Sequence, residues 1–186
     1  MVRILLTLTL FGLLGLFGPA TAQPITDEDA EVFYEIVALG PISAVAASLA
    51  ETPALATARD AGGFEPIHML DYAGFAEKLA LLLANGADIN ARNDDGIGLI
   101  HILIDPEFLP IILAAGADLN LRDATGRTPL MLFAQEQDGG DMLRALLQAG
   151  ADATLRDSAG NGVLFYGAGG DPALIQLLAK AGAPVN

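Results

Sequence analysis

From Asp60 onward the chain sets short apolar blocks between short polar ones, on a beat of about 33 residues. One beat shows the pattern: Leu130, Phe133 and Ala134 mark one helical face, and Met142, Leu143, Leu146 and Leu147 mark a second. Each unit is therefore expected to hold two short helices joined by turns. A glycine follows the second helix every time, at Gly86, Gly116, Gly150 and Gly182, spaced 30, 34 and 32 residues apart. Those glycines suit a left-handed C-terminal cap. Another set, Gly63, Gly96, Gly126 and Gly160, keeps step with them. Asp105-Pro106 and Asp171-Pro172 read as an N-cap followed by proline in the first helical turn. No unit this small can bury both of its faces, so neighbours must stack. Leu82, Leu113, Leu147 and Leu178 are expected to be buried at equivalent places in that stack.

The pattern divides the chain into a leader at 1–22, an atypical N-terminal capping unit at 23–59, and four units at 60–92, 93–122, 123–156 and 157–186. In the capping unit Thr26 and Asp29 form an acidic variant of the capping box, opening a helix from about Glu28 to Ala38. Gly40-Pro41 turns the chain into a second helix at Ile42–Ala50 with Val45 and Leu49 on one face. The leader has a cation at Arg3, an apolar run from Ile4 to Phe17 and a small-residue exit at Pro19-Ala20-Thr21-Ala22, the marks of a secretory signal cleaved before Gln23.

The polar phrases carry a resemblance. Asp60-Ala61-Gly62-Gly63-Phe64-Glu65-Pro66-Ile67-His68, closing on Gly86-Ala87-Asp88-Ile89-Asn90, is similar to the ankyrin-repeat family. So is Asp123-Ala124-Thr125-Gly126-Arg127-Thr128-Pro129-Leu130. The resemblance implies an all-α solenoid of four to five helix-turn-helix units joined by hairpin loops. It also implies a structural place for His68 and His101, whose rings would bond backbone and tie neighbouring units together. Three departures stand out. The family threonine is Glu65, Gly98 and Gly162, which removes its hydroxyl cap; the family histidine is Met131 and Phe165 in the later units; and Pro110 falls inside an expected second helix.

Charge sharpens the picture. Beyond the leader, 8 Lys+Arg face 23 Asp+Glu, a formal charge of −15. Such a surface disfavours nucleic acid and anionic lipid and suits a basic partner. Half of those cations, Arg59, Arg92, Arg122 and Arg156, share one repeat position. They form either a basic stripe or, as the matching acids favour, an Arg–Asp ladder with Asp60, Asp123 and Asp157. The chain has no cysteine, so an exported form must be held by its core alone, which fits the bacterial periplasm.

No nucleophile–base set, phosphate loop or metal-ligand spacing is present in the sequence; Asn93-Asp94-Asp95-Gly96 lacks the spacing and the twelfth-position glutamate of a calcium loop. The expected protein is not an enzyme and needs no cofactor or metal. It is an exported, monomeric protein-binding module presenting a concave repeat surface to a protein partner, basic in character, with no membrane contact after leader removal. The alternative is an inhibitor or immunity factor that blocks an exported enzyme. The resemblance places binding at hairpin tips and first-helix ends. There Phe64, Tyr72 and Ile97 would form an apolar centre beside Asp71, Asp94 and Asp95, with Arg127 at the next tip.

Overall fold

The computed structural model describes residues 25–136, 138–167 and 171–184. The expected leader and the last two residues of the closing Gly182 phrase lie outside them. Among the described residues there are nine α-helices and no strand, only an isolated bridge between Arg156 and Gly162. The helices are α1 (Asp27–Leu39), α2 (Ile42–Glu51), α3 (Phe75–Ala84), α4 (Leu99–Ile102), α5 (Leu109–Ala114), α6 (Pro129–Gln135), α7 (Gly140–Ala149), α8 (Val163–Tyr166) and α9 (Pro172–Lys180). Three 3-10 turns, Pro53–Thr57, Pro66–Met69 and Pro106–Phe108, complete the set. One row runs α1, the Pro66–Met69 turn, α4, α6, α8, each packed on the next; α2 packs on α3 in a second row.

The closing phrase of each unit is explained by hydrogen bonds. Ala87 N–H donates to Leu82 C=O and Gly86 N–H to Leu83 C=O, and the pair recurs as Ala117 to Ile112 with Gly116 to Leu113, Ala151 to Leu146 with Gly150 to Leu147, and Ala183 to Leu178 with Gly182 to Ala179. This is the six-to-one plus five-to-two pairing of a Schellman end, and it requires a positive φ at the glycine, 92° to 97° in the first three units and 89° in the last. The same bonds fix the register of the second helix. The deepest residues are Leu82, Ile112, Leu146 and Leu178, each four before the glycine and at most 1% exposed. Leu113 and Leu147, expected at those places, lie one residue further on and are only partly buried.

The rest of the phrase joins units. Asp88 and Asp118 accept from the amides of Asn90 and Asn120, and Asp152 from that of Thr154, which bends the chain after the glycine. The Asn90 side chain then accepts from Asp118 N–H at 2.8 Å, and Asn120 from Asp152 N–H at 2.9 Å. Aspartate thus shapes its own turn while asparagine holds the following one.

His68 and His101 have the structural place expected. Nδ1 accepts from the amide three residues earlier, Glu65 or Gly98, and Nε2 reaches backbone carbonyls further along: Ala91 at the end of its own unit and Ile97 of the next for His68, and Leu121 at the end of its own unit for His101. The ring supplies the cap at Glu65 and Gly98 that a threonine hydroxyl was expected to give. Thr128 itself makes no side-chain capping bond.

At the N-terminal unit Thr26 and Asp29 make the reciprocal box, and α1 begins one residue before the expected start. Pro41 follows four residues after Val37 and has no N–H, so the Val37 carbonyl at the end of α1 has no helical donor. Lys78, buried on α3, fills that place: Nζ donates to Val37 C=O at 2.7 Å and to the Asp71 carboxylate at 3.0 Å. Tyr34 binds α1 to the first hairpin through the carbonyls of Ala58 and Phe64. Pro110 does not interrupt a helix. A 3-10 turn capped by Asp105 precedes α5, and Pro110 sits in the first turn of α5, where a missing N–H leaves no bond unmade.

Candidate functional site

Each hairpin tip is built on one acceptor. Oδ1 of Asp60, Asn93, Asp123 and Asp157 takes the amides two and four residues on, at 2.8 to 3.0 Å. Successive tips are stitched by backbone alone: Asp94 N–H to Gly62 C=O, Ala124 to Asp95, Ser158 to Thr125. The approach is close enough that a Cβ on Gly96 would lie 2.5 Å from the Ala124 nitrogen.

The arginine column is not the expected ladder. The acids at the tips are committed to backbone amides. Arg92 donates instead to Arg122 C=O of the next unit, and Arg122 to Gly126 C=O and Arg156 C=O, both of the next unit. Arg59 pairs with Asp94 at the second hairpin tip at 3.1 Å and with Glu65, not with Asp60. The acid at Asp123 is paired by Arg127, four residues on, at 2.7 Å. Burial alone would raise the Asp123 pKa; the bonds from Arg127 and Thr125 outweigh it and hold it below the usual carboxylate value. In the last unit a bond from the Tyr166 hydroxyl takes Asp157 down to about 2, while burial and that same bond raise Tyr166 to about 12.

Phe64, Tyr72 and Ile97 do not form one stacked centre. Phe64 is half-buried and sets its edge against His68, with ring centroids 5.5 Å apart. Ile97 is half-buried within its tip, its carbonyl held by the Asn93 amide. Asp94 and Asp95 are exposed at the same tip, and Arg127 is half-buried at the next. Asp71 is committed to Lys78. Tyr72 belongs to another group. Its ring stacks on Phe108, 5.5 Å away, and Phe108 lies 4.5 Å from Phe75.

Beside Tyr72 runs a ridge that sequence reasoning missed. Tyr72 is 55% exposed, Ile102 41% and Ile104 69%. All three line a cleft of 210 Å³ with Phe108 at its wall. On the other side Ile102 and Ile104 line a wider cleft of 800 Å³ with Phe133, Met142, Glu136 and Asp138. No lysine or arginine lines either cleft among the described residues. The signal was available in Leu99-Ile100-His101-Ile102-Leu103-Ile104. A single helical turn cannot bury so long an apolar run, and some of it must face water. No group of three or more His, Asp or Glu among the described residues is placed to hold a metal ion, and no described helix is long and apolar enough to cross a membrane.

Comparison with known proteins agrees with this architecture. Residues 100–186 match the family model described as ankyrin repeats, in three copies. A 61-residue stretch is 43% identical to ankyrin repeat domain-containing protein 35 of Homo sapiens. That stretch is 33% of this chain and 6% of the human protein, so the two share a small run of repeats rather than a whole length. Residues 100–186 carry ankyrin repeats, and the two-row helical stack of the described residues is that of a helix-turn-helix repeat solenoid.

Proposed function

We propose that this ankyrin-repeat solenoid is an exported, non-catalytic binding protein that presents the Tyr72–Ile102–Ile104 ridge to a basic protein partner. Ankyrin repeats are generic protein-binding modules, which sets the class. The observation that carries the choice of face is the exposure of three large apolar side chains together, on a scaffold held stiff by hydrogen bonds between units. Aromatic and aliphatic anchors with charged neighbours are the usual composition of an interface centre. The hairpin residues Phe64, Asp94, Asp95, Ile97 and Arg127 would form its rim. Export to a periplasm-like compartment rests on the leader pattern at 1–22 and the lack of cysteine.

Affinity capture with the tagged chain, in parallel with Tyr72→Ser and Ile104→Ser variants, tests the reading. A partner retained by the wild type and lost by both variants supports it; equal retention refutes the face. N-terminal sequencing of the exported protein should begin at Gln23. The inhibitor reading draws on the same acidic surface, and loss of a captured enzyme's activity on binding would favour it.

A further inference from the structure

The two clefts differ in charge, and the difference has a direction. The smaller cleft contains Asp71, but Lys78 Nζ lies 3.0 Å from that carboxylate, so the pair brings no net charge to the cleft. Its walls are otherwise apolar and aromatic except for His68, whose two ring nitrogens are taken up by backbone groups, and Tyr72 stacks on Phe108 at its rim. The larger cleft contains Glu136 and Asp138. Both are exposed, and neither carboxylate makes a hydrogen bond or ion pair among the described residues. His101 also borders this cleft, but both ring nitrogens are bound to backbone and burial holds the ring below the ordinary histidine pKa. It adds no opposing cation at neutral pH. Across the ridge, then, the surface passes from an electrically balanced aromatic slot to an apolar trough bearing two unpaired negative charges.

We propose that the ridge takes a short segment of a partner protein in one orientation, with an aromatic or aliphatic side chain in the Tyr72–Phe108 slot and a lysine or arginine in the trough. The inference rests on the reading that this face binds protein, and it names the chemistry of the occupant. A long basic side chain suits the trough because its methylene stem can lie on Ile102, Ile104, Phe133 and Met142 while its charged head stays wet beside Glu136 and Asp138. An acidic segment would meet uncompensated like charge there, and a purely apolar one would leave the trough's carboxylates without a partner. At 800 Å³ the trough falls within the range of about 300–1,000 Å³ typical of sites that enclose several side-chain-sized groups, so neighbours of the cation also fit.

The test is selection of a random twelve-residue peptide library on the full chain, followed by synthesis of the consensus peptide. The expected consensus carries a Lys or Arg within a few residues of a large apolar side chain. Glu136→Gln/Asp138→Asn should raise its Kd by about tenfold or more, as should Ile104→Ser, while Arg144→Ala, at a residue that lines neither cleft, should leave it within about twofold. Replacing the peptide's cation by norleucine should abolish the effect of Glu136→Gln/Asp138→Asn. Circular dichroism melts of each variant confirm folding. A consensus without a cation, or a peptide indifferent to the acid variants, overturns the proposal. Selected peptides whose binding is lost instead in Phe64→Ala place the site on the hairpin tips, which sinks this inference but leaves a protein-binding role standing. Enrichment no greater than on bare support sinks both.

Discussion

Replacing Lys78 by methionine and Asp71 by alanine, singly and together, isolates how the capping unit is fastened to the repeats. The Lys78 side chain is 1% exposed and that of Asp71 36%. Methionine keeps the stem and removes the head, so Lys78→Met leaves the Val37 carbonyl with no donor, since Pro41 cannot supply one. An unsatisfied buried acceptor costs about 1–3 kcal/mol, and loss of a cation at a helix C-terminus adds about 0.3–1 kcal/mol. Better burial of the methionine tip offsets part of this, giving an expected loss of about 2 kcal/mol. Asp71→Ala strands the ammonium instead. Breaking a fully buried pair costs about 3–5 kcal/mol, and the partial exposure of Asp71, which lets water replace some of the lost contact, reduces that to about 2–3 kcal/mol. With Lys78 already methionine, Asp71 is an ordinary half-exposed carboxylate and its removal adds little. The double variant should therefore resemble Lys78→Met, with a coupling of at least about 1 kcal/mol. Urea unfolding at pH 7, followed by circular dichroism with m-values checked for constancy, supplies all four stabilities. A double variant that loses the sum of the two singles, or an Asp71→Ala protein as stable as wild type, would refute the arrangement.

Three other outcomes follow from the stack. Leu146→Ala should cost about 2–5 kcal/mol and Leu147→Ala clearly less, because only the first is fully buried; equal denaturant midpoints would mean that the register is wrong. Gly96→Ala should be more damaging than Gly86→Ala: both carry the strain of a positive φ, about 1–2 kcal/mol, but only at Gly96 does the new Cβ strike a neighbouring backbone. Burial holds His101 below its ordinary pKa, so the unfolded chain binds the proton first; its contribution is whole above about pH 6.5 and declines as pH falls through that value toward the folded pKa. Urea midpoints at pH 7.5 and 5.5 should thus fall further in wild type than in His101→Gln, and an equal fall would argue against a neutral buried ring.

The periodic parts of this fold were legible because they are backbone requirements repeated in register. A glycine at a left-handed cap, an aspartate or asparagine before a tip and an Asp-Pro helix start each leave a narrow choice of residue, and each can be read without knowing any neighbour. The second-helix register was not legible, since Leu82-Leu83, Ile112-Leu113 and Leu146-Leu147 offer two adjacent apolar residues and no polar one to choose between them. Only the cap geometry decides that. Lys78 was missed because its partner is a carbonyl exposed by a proline 37 positions earlier. The arginine column misled for a related reason: acids in register suggested ion pairs, whereas those acids were already needed by their own turns. As for the binding face, the tip positions follow from the repeat, but Ile102 and Ile104 become a surface only once α4 proves to be a single turn.

Bonds that join neighbouring units reach as far as 41 positions along the chain, and the three stitches between hairpin tips run from one main chain to the next. A seam written in main-chain atoms does not depend on which side chains flank it. Excising or duplicating a whole unit at matching tip positions would bring together two ends with the same donors and acceptors, whereas inserting one residue within a unit would put every later bond out of step. The lineage of such a chain can therefore lengthen or shorten by gene rearrangement in whole beats, while the exposed side chains of each unit are left to change one residue at a time.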